Sequence, residues 1–152
     1  MPNAHPGAHD GEKGSATFRV SVEGPPRGLR PILRDDIYRI AREALRNSFR
    51  HAQASQIEAE ITYGERILRV RIRDDGKGID PKHLQAGRDG HWGLPGMRER
   101  AQQIGAQFEM WSEVGAGTEV ELRIPGSIVY AKARGRGGLR LFRKKKEGSN
   151  ER

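Results

Sequence analysis

The chain has 152 residues, 34% of them hydrophobic, with 20 glycines and no cysteine. That suits one compact middle with poorly packing ends and excludes a disulfide framework or a thiolate metal site. No apolar run approaches the about 20 residues of a membrane-spanning helix and no signal-peptide core opens the sequence, so the chain as given is expected to be soluble and cytoplasmic. The net charge of +8 is uneven: residues 130–152 hold nine Lys/Arg and two Glu, whereas the rest holds 19 basic and 18 acidic side chains. The basic character therefore belongs to a tail, and the nearly neutral body does not indicate a nucleic-acid-binding fold.

Residues 1–15 are rich in Gly, Pro and polar side chains and read as disordered. Residues 17–22 alternate with period two and predict a strand, which Gly24-Pro25-Pro26 ends. Pro31 suits a first helical turn, and Ile37, Ile40, Ala41, Ala44, Leu45, Ser48 and Ala52 recur at helical spacing, predicting a helix to about Gln53. A hairpin follows, with strands over 57–63 and 67–73 around Gly64-Glu65. Residues 76–93 are Gly-rich and polar, with a short helix near Pro81–Gln85. Leu94 to Ile104 reads as a helix stopped by Gly105, and 107–112 and 118–124 as two more strands. Helices sharing one face of a mixed, mainly antiparallel sheet make a two-layer α+β sandwich rather than a doubly wound fold. Phe108 and Trp111, three apart in a strand, should point to opposite faces.

Four short segments carry chemistry. Glu43 and Asn47, four apart, project from one helix face beside the apolar stripe; a carboxylate can orient or deprotonate water and an amide oxygen can complete a Mg²⁺ shell. Asp74 and Asp75 end a strand beside Gly76 and Gly78, which let a backbone approach a ligand. Gly90-His91-Trp92-Gly93-Leu94-Pro95-Gly96-Met97 leads into a helix whose N-terminus favours an anion. Gly115-Ala116-Gly117-Thr118 enters the last strand with a hydroxyl and amides for phosphate. Each piece alone fits a solvated helix face or an ordinary turn; their order and spacing carry the signal.

In that order the segments resemble the ATP-binding domain of the GHKL superfamily, which contains histidine kinases, gyrase, mismatch-repair and chaperone ATPases. Glu43-Ala44-Leu45-Arg46-Asn47-Ser48-Phe49-Arg50-His51-Ala52 resembles the N box, and Asp74-Asp75-Gly76-Lys77-Gly78 the first glycine box. Gly93-Leu94-Pro95-Gly96-Met97-Arg98-Glu99-Arg100 resembles the second, in the wording of nitrate-sensor-type kinases, and Gly115–Thr118 the last. The resemblance covers residues 16–125 and leaves 126–152 as a disordered basic tail. It implies ATP and Mg²⁺ as cofactors, with Asn47 on the metal and Glu43 as the catalytic acid positioning water or the acceptor. Asp74 would accept the adenine amino hydrogen, Arg50 and His51 would lie near the phosphates, and Gly76 and Gly78 would floor the adenine pocket. Gly93 and Gly96 would hinge a lid, Thr118 would touch adenine or phosphate, and Ile79, Leu94 and Met97 complete the nucleotide-contacting set. Two departures stand out: Asp75, where many relatives have Asn, adds negative charge beside the pocket, and Arg50 replaces a common Lys.

No phosphoacceptor histidine is recognisable. His5 and His9 lie among glycines, His83 and His91 in the lid, and His51 ends the N-box helix; no pair has zinc-site spacing with a third ligand. The resemblance therefore implies the catalytic part of a receptor histidine kinase, with the phosphoacceptor dimerisation domain and a response regulator as partners. Two other classes stay open: a stand-alone serine kinase of the anti-sigma-factor type, and a nucleotide-binding interaction module without catalysis. The tail reads as a solvated extension; its sharper reading is weak contact with an anionic membrane, Leu139, Leu141 and Phe142 inserting among the basic residues. It offers no aromatic stacking platform for nucleic acid.

Overall fold

The computed structural model describes residues 14–80, Lys82 and 93–132. The expected short helix near Pro81–Gln85, His5, His9, His83, His91, Trp92 and the tail beyond Lys132 lie outside them.

The elements follow the order β1 (Thr17–Glu23), α1 (Pro31–Arg50), β2 (Gln56–Tyr63), β3 (Ile67–Asp74), α2 (Leu94–Gln103), β4 (Gln107–Glu113), β5 (Gly117–Pro125) and the short α3 (Gly126–Val129). The five strands form one sheet in the order β1-β2-β3-β5-β4. β1 runs parallel to β2 across the α1 crossover, and every other neighbour is antiparallel. This is the mixed, mainly antiparallel α+β sandwich expected from the pattern.

Period-two alternation decides the two faces of the sheet. From β3, Leu68, Val70 and Ile72 turn towards the helices and join Val120, Leu122 and Ile124 of β5. α1 covers them with Ile37, Ile40 and Ala44, and α2 with Met97 and Ala101. The opposite face carries Glu58 and Glu60 of β2, Arg69, Arg71 and Arg73 of β3, and Glu119, Glu121 and Arg123 of β5, tied by ion pairs. Phe108 packs on the core and Trp111 stands half-exposed on the other face, as their spacing requires.

Both helix ends have local causes. α1 stops at Arg50, three residues short of the expected end; His51 adds a last helical bond to Asn47 O, and Gln53, at a left-handed φ of 52°, turns the chain towards β2. α2 ends in a Schellman motif. Gly105 takes φ 73°, its N–H donates to the Gln102 carbonyl, and the Ala106 N–H reaches back to Ala101.

The folded unit also extends past the expected boundary at 125. Val129 is fully buried and Tyr130 nearly so. The Tyr130 hydroxyl donates to the Gly64 carbonyl at 2.6 Å, and burial raises its pKa. Residues 129–131 pair with 28–30 through Arg30 N–H to Val129 O and Ala131 N–H to Gly28 O. At least this part of the stretch assigned to a disordered tail is core.

Candidate nucleotide site

Of the predicted residues, Asp74, Gly76, Ile79 and Thr118 come together where the core-facing register of β3 ends in a carboxylate. Asp74 follows Leu68, Val70 and Ile72 on the same face, so its side chain points under α1 and is only 5% exposed. Register pairs it directly with Thr118 of β5. Its Oδ1 accepts the Gly76 N–H at 2.9 Å and its Oδ2 accepts the Ser48 hydroxyl at 2.7 Å. Two donors on a carboxylate leave acceptor capacity on both oxygens, so a ligand edge meeting Asp74 has to offer hydrogen.

The turn after Asp74 is zipped between two other loops. On one side Lys77 N–H donates to Ala52 O at 2.7 Å and Asp75 N–H to Gln56 O at 3.2 Å. On the other, Gly115 N–H donates to Lys77 O at 2.8 Å, and Ile79 N–H to Ser112 Oγ at 2.8 Å. Ser112 and Thr118 hydroxyls lie 2.8 Å apart, so Ser112 ties the glycine turn to the threonine expected at the ligand. Glycine is required here by packing as well as by any ligand. A Cβ on Gly76 would stand 2.3 Å from Ala52 O, and one on Gly78 (φ 70°) 2.0 Å from Glu113 O. One on Gly117 (φ 95°) would stand 2.0 Å from the carbonyl of Asp74 itself.

Asp75 is held by the α1–β2 junction instead. Its Oδ1 accepts the backbone N–H groups of Ser55 and Gln56 at 2.9 and 2.8 Å, and its Oδ2 the Ser55 hydroxyl at 2.6 Å. The Ser55 hydroxyl and the Gln56 N–H together hold its pKa below the ordinary value. The negative charge expected beside the nucleotide is thus spent on tying the α1–β2 loop to the glycine turn.

α1 brings the remaining groups. Glu43 and Asn47 are both half-buried on one side of the helix. Glu43 lies against the start of α2: the place a Cβ on Gly93 would take is 2.6 Å from Glu43 Oε1, and Gly93 has φ 62°. A Cβ there would push the Glu43 carboxylate aside and sit at a left-handed φ that favours glycine. Gly96 differs, with nothing nearer to its Cβ position than Arg100 at 3.9 Å. Ile79 is buried, Leu94 is half-buried against the core, and Met97 is wholly enclosed between helix and sheet. Arg50 is exposed on the last residue of α1, and His51 caps it through its backbone N–H to Asn47 O.

Three serines act here that the sequence reading did not single out. Ser55 sits in the α1–β2 loop and Ser112 near the end of β4, neither in a distinguishing pattern. Ser48 carried a signal, since a serine within a buried apolar stripe has to find a hydrogen-bond partner. Among the described residues no three His, Asp or Glu side chains gather as a metal site. Oxygen donors such as Asn47 and Glu43 fit Mg²⁺, which takes one or two protein ligands and completes its shell with phosphate and water.

The family described as histidine kinase-, DNA gyrase B-, and HSP90-like ATPase matches residues 32–128, which span α1, the glycine turns and α3. The sensor protein VraS of Staphylococcus saprophyticus is 38% identical over 102 residues, covering 66% of this chain and 27% of that protein. The sensor histidine kinase LiaS of Bacillus subtilis is 37% identical over 91 residues, covering 60% of this chain and 24% of that protein. Among solved structures, the histidine kinase domain of the Erythrobacter litoralis EL346 blue-light activated histidine kinase matches with a TM-score of 0.63 at 27% identity, covering 76% of this chain and 54% of that one. The chain spans about a quarter of the length of these sensor relatives. It belongs to the histidine kinase-, DNA gyrase B-, and HSP90-like ATPase family, as an ATP-binding domain of the sensor-kinase type.

Proposed function

We propose that this domain binds ATP with Mg²⁺ and, within a complete sensor kinase, donates the γ-phosphoryl group to a histidine on a dimerisation domain outside this chain. The observation that carries the reading is Asp74: a buried carboxylate with acceptor capacity left, beside Thr118 and under the helix turn that bears Asn47. Asp74 reads the adenine amino group, Asn47 would hold Mg²⁺, and Glu43 positions water or the acceptor at the start of α2. Mg²⁺ so held would supply charge to offset that of the transferring group, and the protein's share of catalysis is positioning. A cytoplasmic response regulator is the downstream partner. The basic residues beyond Lys132 add weak contact with an anionic membrane. No helix among the described residues is long and apolar enough to cross one.

The test is calorimetric titration with ATP and ADP, with and without Mg²⁺, on this chain and on Asp74→Asn. Binding by the wild-type chain that Asp74→Asn abolishes supports the reading. No binding by a folded wild-type chain overturns it and leaves an interaction module. Phosphoryl transfer is tested separately, by labelling of a cognate helical hairpin carrying the acceptor histidine; no label on the histidine overturns the kinase role.

A further inference from the structure

Among the described residues Ser48 and Asp74, each 5% exposed, are the buried polar side chains besides the Tyr130 hydroxyl, and they are hydrogen-bonded to each other. We propose that Ser48 is a positioning residue for base selection, a role that rests on the nucleotide assignment above. Its place argues against a purely structural purpose. The neighbouring stripe positions hold Ile37, Ile40 and Ala44, and alanine at 48 would suit the helix at least as well as serine. The hydroxyl serves one visible purpose, a bond to Asp74 Oδ2.

That bond acts on the carboxylate in two ways. With Gly76 N–H on Oδ1 and Ser48 O–H on Oδ2, the group is pinned at both oxygens and cannot turn about its terminal torsion. Both donors come from the protein, so what Asp74 offers a ligand is acceptor capacity alone, in a fixed direction. An exocyclic amine satisfies that edge, whereas a carbonyl in the same place leaves two acceptors facing one another. Ser48 also follows Asn47 directly in α1, so the same helical turn registers the base-reading carboxylate against the residue assigned to the metal.

Titrations with ADP and with purine riboside diphosphate, which lacks the 6-amino group, decide the matter on wild type, Ser48→Ala and Ser48→Thr. Thermal unfolding of each apo protein serves as the control for folding. Ser48→Ala is expected to bind ADP roughly tenfold more weakly, as loss of one hydrogen bond to a charged group implies, while binding of the 6-unsubstituted diphosphate stays unchanged. Ser48→Thr, which keeps the hydroxyl, restores ADP binding. Equal loss for both nucleotides marks a merely structural serine and overturns the proposal, as does unchanged ADP binding in Ser48→Ala. Failure of the wild-type chain to bind either nucleotide overturns the nucleotide assignment itself, an outcome distinct from the other two.

Discussion

The two faces of β3 are built from alternate residues of one eight-residue strand, yet they obey different physics. Leu68, Val70 and Ile72 lie under the helices, whereas Arg69, Arg71 and Arg73 reach Glu60 and Glu58 across the open face. The buried face supplies the stability. It also sets the site, because the register that carries three apolar side chains into the core delivers Asp74 to the same depth at its end. The largest effect should therefore come from the first face. Leu68 is fully buried, and Leu68→Ala should cost about 2–5 kcal/mol through lost transfer energy and a residual cavity. Denaturant unfolding measures this directly, and a loss below 1 kcal/mol would mean that the helices collapse onto the gap.

Where the buried face ends, backbone approach replaces side-chain packing. Gly78→Ala puts a Cβ 2.0 Å from Glu113 O at φ 70°, so it should cost about 2 kcal/mol in strain and in displacement of the β4–β5 turn. Gly96→Ala is the contrasting case. Gly96 lies inside α2 with open space around it, and alanine there should stabilise the helix by up to about 1 kcal/mol. A rise in melting temperature with weaker ADP binding would show that the glycine serves the ligand and not the apo fold.

The paired aspartates repeat the comparison at one residue's distance. Asp74 inherits the core register, while Asp75 inherits the outward one and finds Ser55 and Gln56. Its folded pKa is lowered from 3.8, so the stability it contributes is fully present at neutral pH and is lost as pH falls below about 4 through the folded value. Asp75→Ala should lower stability at pH 7 and remove part of the acid-side loss, narrowing its gap to wild type between pH 7 and pH 3. A gap that is constant with pH would assign the effect to the loop backbone and not to the carboxylate.

These cases show what the sequence could carry. Alternation in 67–73 and the helical stripe from Ile37 to Ala52 encode burial directly, so the sandwich and the order of its elements could be read from them. Gly105 was legible because a left-handed helix terminus favours that residue. The direction of Asp75 was not, since its partners Ser55 and Gln56 are 20 and 19 residues away, where the α1–β2 loop enters β2. Ser48 was counted with the apolar stripe because spacing alone does not say which buried position holds a hydroxyl for a purpose. Residues 126–131 follow Pro125 and open with Gly-Ser, a pattern that signals a chain leaving its fold. What keeps them is the Tyr130 hydroxyl on Gly64, a contact 66 residues apart.

The smallest effect belongs to the charged face. Glu60 bridges Arg69 and Arg71, each at 2.7 Å, and Arg71 also approaches Glu119 at 3.7 Å. The Arg71 hydrogen bond leads in lowering the Glu60 pKa, and the same bond leads in raising that of Arg71. These side chains are about a fifth to a third exposed, so solvent and salt screen them, and long arginines give up rotamer freedom to stay in place. A double-mutant cycle of Glu60→Gln with Arg71→Gln should return a coupling of about 0.5–1 kcal/mol at low salt, shrinking in 1 M salt. The Glu60 contribution should also fade as pH falls below the ordinary 4.5, the direction its lowered pKa requires. A coupling above 2 kcal/mol that salt leaves intact would show the open face acting as a desolvated network, and the division of labour between the two faces of β3 would fail.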